Sequence, residues 1–207
     1  MRRQWNRKVH SPGLLREFAE RFRGYEQLLV RGAPPQPLLL ISYPKAGWFA
    51  ADQLRDAWLH ILPSLEAPLV RLYWEMLPKL PAMIVVMLRR RNICTCLGHH
   101  HPPGAESRLT RRLSADMGTP VGEIDLAWEA IREWQPRPLS ALATHLEEPV
   151  FARLRFHAGL LTVLLHELEH AAFPDRQEAE VRGASDEFYA AVLGELLRSE
   201  GVPVYGM

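Results

Sequence analysis

Leu160-Leu-Thr-Val-Leu-Leu-His166-Glu167-Leu-Glu169-His170-Ala-Ala-Phe173 is apolar enough to form a buried helix, yet it carries two histidines and two glutamates. With ~3.6 residues per turn, positions four apart lie on one face of a helix, so His166 and His170 point the same way. Ionisable side chains are costly to bury without partners. The stretch therefore predicts a core helix whose two histidines share a binding partner.

Zinc is the partner that this spacing predicts. Two imidazoles at the ends of an HExxH pattern can hold one Zn²⁺ ion, and Glu167 can reach a water bound to that ion. The metal lowers the pKa of the water, and the carboxylate takes its proton as the water attacks a carbonyl. We therefore expect His166 and His170 to be metal ligands and Glu167 to be the catalytic general base in the hydrolysis of a protein or peptide substrate.

The pattern resembles the zincin-type zinc metallopeptidases. Their metzincin subclass needs a glycine and then a third ligand after the second histidine, and Phe173 and Arg176 hold those positions, which excludes that subclass. The segment Ala184-Ser-Asp-Glu-Phe-Tyr-Ala-Ala-Val-Leu193 instead resembles the signature of the ImmA/IrrE-like metallopeptidases. A gluzincin-like site of this kind takes a glutamate from the helix that follows HExxH. The resemblance covers about Val163–Leu193.

The third ligand is therefore expected on a second helix, predicted at Gln177–Arg198. Ala184 stands where the family often has its glutamate, so we select Glu180, one turn earlier on that face. The alternatives, in order, are Glu187, Glu178 and Asp186. Glu169 departs from the family's usual uncharged residue, which predicts either solvent access or a partner such as an arginine.

A β-hairpin is predicted upstream of the motif. Ala82–Leu88 is rich in β-branched and apolar residues, 89–92 is a polar turn, and Ile93–Leu97 is the second strand. In zincins an exposed edge strand binds extended substrate, and Ile93–Gly98 is the candidate here. We expect substrate contacts from Ile93, Cys94, His99 and Tyr189, with Tyr189 or a histidine of 99–101 stabilising the oxyanion.

The remaining pattern predicts an α+β fold, and the resemblance implies that it is zincin-like: a small sheet with a β-hairpin edge, packed by the HExxH helix and a C-terminal helix. A strand is expected at Leu38–Tyr43, a helix at Ala105–Ala115, a helix opened by Thr119-Pro120, and one long helix at Val150–Ala172. Residues 1–10 form a predicted basic arm, and residues 11–207 form a single metallopeptidase domain.

Cys94 and Cys96 are the only cysteines. Two residues apart on a strand, they are badly placed for a disulfide, which favours a reduced, intracellular protein. With His99, His100 and His101 they also suggest a second metal site, although the spacing matches no common structural zinc motif. A polar loop at the mouth of a cleft is the other interpretation of the histidine run.

Composition narrows the class of protein. Hydrophobic residues make up 47% and charged residues 24%, which is typical of a globular domain, and the net charge of +1 gives no attraction to nucleic acid or membrane. No apolar run approaches the ~20 residues of a membrane span, and the basic N-terminus leads into no signal-type apolar segment. We expect a cytoplasmic protein, and the preference for arginine over lysine indicates a GC-rich bacterial or phage genome.

Two other functions fit parts of the sequence. A non-catalytic zinc-binding regulator of phage or mobile-element type would keep the site without turnover. Ser42-Tyr-Pro-Lys-Ala-Gly-Trp48 resembles the phosphosulfate-binding loop of cytosolic sulfotransferases, which implies a nucleotide-binding protein, although Ala46 replaces a serine and the Thr-Thr pair is missing. A plain turn from strand to helix explains the same seven residues.

Overall fold

The structure, a computed structural model, describes residues 38–42, 53–54, 75–81, 83–91, 95–118, 120–134, 147–199 and 201. The predicted basic arm at 1–10 and the loop after Ser42 lie outside these residues. The described elements are β1 (Leu38–Ser42), a short 3-10 helix (Leu77–Lys79), β2 (Met83–Arg89), β3 (Gly98–His101), α1 (Arg108–Met117), β4 (Val121–Ala127), α2 (Trp128–Glu133), α3 (Glu148–Ala172) and α4 (Glu178–Ser199).

The four strands form one mixed sheet in the order β1-β2-β4-β3. β1, β2 and β4 are parallel, and β3 runs antiparallel to β4 with Gly98 opposite Leu126 and His101 opposite Glu123. Among the described strands, β3 is therefore an edge of the sheet. The combination of this sheet with the helices is compatible with the predicted α+β class.

One face of the sheet packs against α3. Alternate residues of a strand point to opposite faces, and the apolar set on this face is fully buried together with the apolar side chains of α3. This set comprises Ile84, Val86, Leu88, Ile124 and Leu126. The core therefore lies between the sheet and α3.

The two long helices confirm the sequence-based expectation. Pro149 lies in the first turn of α3, where its missing N–H costs nothing, and the helix is buried almost all round between Ala158 and Leu165. It ends at Phe173, whose N–H donates to the carbonyl of Glu169. After a short turn, α4 packs along α3, so residues on the two helices can form one site.

The predicted β-hairpin is wrong. β2 pairs with β1 and β4, whereas β3 pairs only with β4 among the described strands. Thr95 has a φ of 55°, which bends the chain where the second strand was expected, and the strand forms later, at Gly98–His101. Histidines have no strong strand preference, so pairing with β4 explains this strand better than local sequence does.

The helix predicted after Thr119-Pro120 is also corrected. Val121–Ala127 is a strand, and only Trp128–Glu133 is helical. β4 has neighbours on both sides and is buried on both faces, because Ile124 and Leu126 face α3 while Glu123 and Asp125 are buried on the other face. The period of two in these residues was the signal for a strand.

Cys96 is disulfide-bonded, so the expectation of reduced cysteines is wrong at this position. That expectation assumed an extended strand through both cysteines, but the chain bends at Thr95. Cys94 is the only other cysteine in the sequence and lies outside the described residues. Within the part of the chain that the structure describes, no helix is both long and apolar enough to cross a membrane.

Gly98→Ala is expected to destabilise the protein. A Cβ at Gly98 would lie 2.5 Å from Glu167 Oε1 and 2.7 Å from Val163 Cγ1, so β3 or these two side chains must shift. Overpacking of this kind costs about 1–3 kcal/mol of unfolding free energy. Urea denaturation measures the change.

Gly183→Ala is the matched control, because a Cβ there meets nothing within 4 Å. Gly183 lies inside α4, where alanine is the better helix former, so this variant is expected to gain about 0.5–1 kcal/mol. Equal stability of the two variants would contradict the close approach of β3 to α3.

Candidate functional site

The two histidines of the motif converge at the C-terminal end of α3. His166 Nε2 lies 3.1 Å from His170 Nε2, and the two rings meet edge to face at a centroid distance of 4.7 Å. Both side chains are only partly exposed. The spacing of four residues thus brings two ring nitrogens to one point, as predicted.

Glu178, in the first turn of α4, completes a group of three. Its Oε2 lies 3.0 Å from His170 Nε2, and its Oε1 lies 3.6 Å from His166 Nε2. Two ligand atoms at ~2.0 Å from a tetrahedral zinc ion are separated by ~3.3 Å. The separations of 3.0 to 3.6 Å are close to this value, and the three residues form a candidate metal-binding group.

Ser185 orients the first of these histidines. Its Oγ lies 2.8 Å from His166 Nδ1 and donates its own proton to the carbonyl of Val181, also at 2.8 Å. The hydroxyl can therefore only accept from the ring, so Nδ1 of His166 carries the hydrogen. Nε2 keeps its lone pair for the group, and burial lowers the pKa of His166, which favours the neutral form that binds metals.

Arg182 holds the carboxylate of the group. Its Nε donates to Glu178 Oε1 at 2.9 Å, one turn along α4. Burial raises the pKa of Glu178, but this hydrogen bond and the neighbouring His166 and His170 outweigh it and lower the pKa overall. Glu178 is therefore ionised at neutral pH, as a metal ligand must be.

Glu180, the first choice for the third ligand, lies outside the group. Its side chain is exposed, and its Oε2 accepts a hydrogen bond from the backbone N–H of Gln177 at 2.9 Å, at the start of α4. The two remaining alternatives, Glu187 and Asp186, are also exposed and are not members of the group. The structure brings Glu178 to the histidines instead.

Glu167 is buried beneath β3. It is 6% exposed, and the backbone N–H of His100 donates to its carboxylate. Burial raises its pKa, that hydrogen bond lowers it and the charge of Glu178 raises it, and together these effects bring the pKa to about 7. A carboxylate in this range can both take and release a proton near neutral pH.

His100 is the histidine of the 99–101 run that faces α3. Gly98 lies against Glu167, and His100, two residues on along β3, is on the same face. Burial and the neighbouring His170 lower the pKa of His100 to about 4, so its ring is neutral at neutral pH. Of the three histidines, His100 is therefore the candidate for contact with a bound substrate.

The predicted substrate-binding residues have different positions. His99 is exposed and contacts the ring of His101 on the face of the sheet opposite α3. Tyr189 is 1% exposed and packs edge to face on Trp134 in the core, at a centroid distance of 5.1 Å, where burial raises its pKa. Ile93 and Cys94 lie outside the described residues, so no substrate role for them is tested.

The unusual charge at Glu169 has a partner. The side chain is buried, and its Oε1 accepts from Arg176 Nη1. Arg176 also lies over the ring of Phe173, 3.9 Å from its centroid, and Lys79 lies at the same distance. The second of the two predicted explanations, an arginine partner, is therefore correct, and these contacts hold the turn that leads into Glu178.

Three residues of the site were not singled out from the sequence. Ser185 and Arg182 lie seven and four positions after Glu178, a spacing that puts all three on one face of α4. That spacing was a readable signal once Glu178 was chosen. His100 was not distinguishable from His99 and His101 until the strand register was known.

Comparison of the chain with protein-family models, with curated proteins and with solved structures gives no match.

Glu178→Gln is expected to weaken zinc binding at least ~10-fold, because it replaces a charged carboxylate ligand with a neutral amide. Isothermal titration of chelator-treated protein with Zn²⁺ measures the dissociation constant. Glu180→Gln changes the same residue type two positions away and should leave the constant within about twofold. An equal or larger loss of zinc affinity in Glu180→Gln would indicate that Glu180 is the ligand.

The contribution of Glu167 to the stability of the metal-free protein is expected to fall as pH rises from about 5 to about 7. Glu167 keeps its proton up to about pH 7 in the folded state, whereas the unfolded chain releases it near 4.5. In this window the folded state binds more protons, so deprotonation favours unfolding. The size is up to about 3 kcal/mol, at ~1.4 kcal/mol per pKa unit.

Glu167→Gln removes this titration and provides the reference. We expect the unfolding free energy of chelator-treated wild type, relative to that of Glu167→Gln, to decrease across this pH window in urea denaturation. A difference that stays constant with pH would show that Glu167 has an ordinary pKa.

Proposed function

We propose that this chain is a zinc-dependent metallopeptidase with a zincin-like active site. The observation that carries the proposal is the convergence of His166, His170 and Glu178 beside the buried carboxylate of Glu167. A bound zinc ion would act there as a Lewis acid that polarises a carbonyl and lowers the pKa of a water. The ligand set is two imidazoles and one carboxylate, which leaves a coordination position open.

Glu167 is the general base of the proposed reaction. It takes a proton from the attacking water and gives it to the leaving amine. Its burial excludes bulk water from the carboxylate, and the N–H of His100 fixes the orientation of that carboxylate. The proton therefore moves between groups that the fold has already positioned.

The substrate is proposed to be an extended peptide that pairs with β3. Within the described sheet, β3 has a partner on one side only, and its backbone reaches the site through His100. Pairing with a strand edge uses main-chain hydrogen bonds and tolerates many side chains. This location replaces Ile93–Gly98 as the candidate rim of the cleft.

His100 is proposed to stabilise the oxyanion. Because burial and His170 keep its imidazole neutral, it can donate one N–H to a developing negative charge without needing to be protonated first. It takes the role that was expected of Tyr189 or of an unspecified histidine of the run. Tyr189 packs on Trp134 in the core.

A non-catalytic zinc-binding regulator is the second candidate. It is favoured by the burial of Glu167, whose carboxylate already accepts a hydrogen bond from β3 and has little exposed surface. Such a protein would keep its zinc and its biological activity when the general base is removed. The sulfotransferase-like function stays a prediction, since its loop lies outside the described residues.

Glu167→Gln tests the proposal. Purified wild type should contain about one zinc per chain or more and should cleave a library of unstructured peptides. The variant should keep the zinc bound by His166, His170 and Glu178 while cleavage falls at least ~100-fold, because the general base is lost. Metal analysis and mass spectrometry of the peptides give the two readouts.

His166→Ala is the companion variant, and it should lose both zinc at this site and cleavage. Wild type that binds zinc at this site but cleaves no peptide would favour the regulatory function. Cleavage that is unchanged in Glu167→Gln would exclude Glu167 as the base.

A further inference from the structure

A second cluster lies on the face of the sheet opposite α3. Glu123 and Asp125 alternate with Ile124 along β4, and His101 lies opposite Glu123 on β3. Glu123 has no exposed surface and Asp125 is 7% exposed. Charged groups at this depth are found where they are paired or where they bind a metal.

Each carboxylate has one oxygen held by a donor and the other left free. The backbone N–H of Ser107 donates to Glu123 Oε2 at 2.8 Å, and Arg89 Nε donates to Asp125 Oδ2 at 2.6 Å. Glu123 Oε1 and Asp125 Oδ1 are buried and have no hydrogen-bond partner among the described residues, and the same is true of His101 Nε2. Carboxylates that bind metals are commonly held in this way through the second oxygen.

His101 lies beside both carboxylates. Its Nε2 is 4.0 Å from the free Glu123 Oε1 and 3.2 Å from Asp125 Oδ2, the oxygen that Arg89 holds, but it forms no hydrogen bond with either. One ligand atom from each of the three residues falls within 4.8 Å of the others. Each member of the cluster therefore has one buried polar atom without a hydrogen-bond partner.

Arg89 does not account for the cluster by itself. It compensates the charge of Asp125, but its Nη2 is 3.9 Å from Glu123 Oε1, beyond hydrogen-bond reach. The formal charges of Arg89, Glu123 and Asp125 therefore sum to −1 in a buried place. A divalent cation would compensate that charge and would bind one ligand atom of each of His101, Glu123 and Asp125.

We propose that His101, Glu123 and Asp125 hold a divalent first-row transition-metal ion. An imidazole with two carboxylates suits Zn²⁺, Mn²⁺ or Fe²⁺, whereas Ca²⁺ and Mg²⁺ prefer oxygen ligands alone. The ion would tie β3 to β4 from the side opposite α3. It would therefore be structural and would fix the strand that carries Gly98 and His100.

The test uses full-length protein with the first site removed. His166→Ala/His170→Ala protein is treated with chelator and titrated separately with Zn²⁺ and Mn²⁺ by calorimetry. About one equivalent of at least one ion is expected. Adding His101→Ala should weaken that binding at least ~10-fold, whereas His99→Ala, two residues away on the same strand, should not.

His101 is chosen because its side chain is 20% exposed, so its truncation disturbs the core less than a change at buried Glu123. Circular dichroism confirms that each variant is folded. If the double variant does not fold, wild type should bind two equivalents, His101→Ala one, and His99→Ala two.

A folded double variant that binds neither ion would overturn the proposal and would indicate an ion-pair cluster without a metal. Equal binding by His101→Ala and His99→Ala would overturn it as well. The outcome is independent of the proposed peptidase, since one equivalent that persists without His166 and His170 supports the second site even if no peptide is cleaved.

Discussion

The candidate site depends on the close approach of β3 to α3 at Gly98. No Cβ fits there, because Glu167 Oε1 would lie 2.5 Å from it. The same approach buries the carboxylate of Glu167, raises its pKa to about 7 and lets the backbone N–H of His100 donate to it. A single packing contact between backbone and side chain thus determines the position and the protonation of the proposed general base, and it brings a strand edge beside the two histidines.

α4 supplies the third candidate ligand and the hydrogen-bond partner of His166. The HExxH spacing provides two ring nitrogens on one helix, but a third ligand and a partner for Nδ1 have to come from another element. Glu178 and Ser185 lie on one face of α4, and the turn before them is held by Arg176, which bonds buried Glu169 and lies over Phe173. The charge at Glu169 therefore stabilises the connection between the helices.

β3 also links two groups of acids and histidines. Because successive side chains of a strand point to opposite faces, His100 faces Glu167 while His101 faces Glu123 and Asp125. The first group lies between the sheet and α3 and is partly open to solvent. The second is more deeply buried, with one unpartnered polar atom on each residue.

Local sequence patterns were sufficient to predict the long helices from their apolar periodicity, β2 from its β-branched content and the histidine pair from its spacing of four residues. Each of these signals depends only on residues that are close in sequence. They were insufficient where pairing decided the outcome. Gly98–His101 is a strand because β4 lies beside it, and Val121–Ala127 is a strand because it is central in the sheet, so neither the hairpin nor the helix expected there forms.

The choice of Glu178 over Glu180 depends on the angle at which α4 leaves the turn, and the choice of His100 over His99 depends on the register of β3. Both are long-range properties, because they follow from how distant segments pack and not from the residues next to each position.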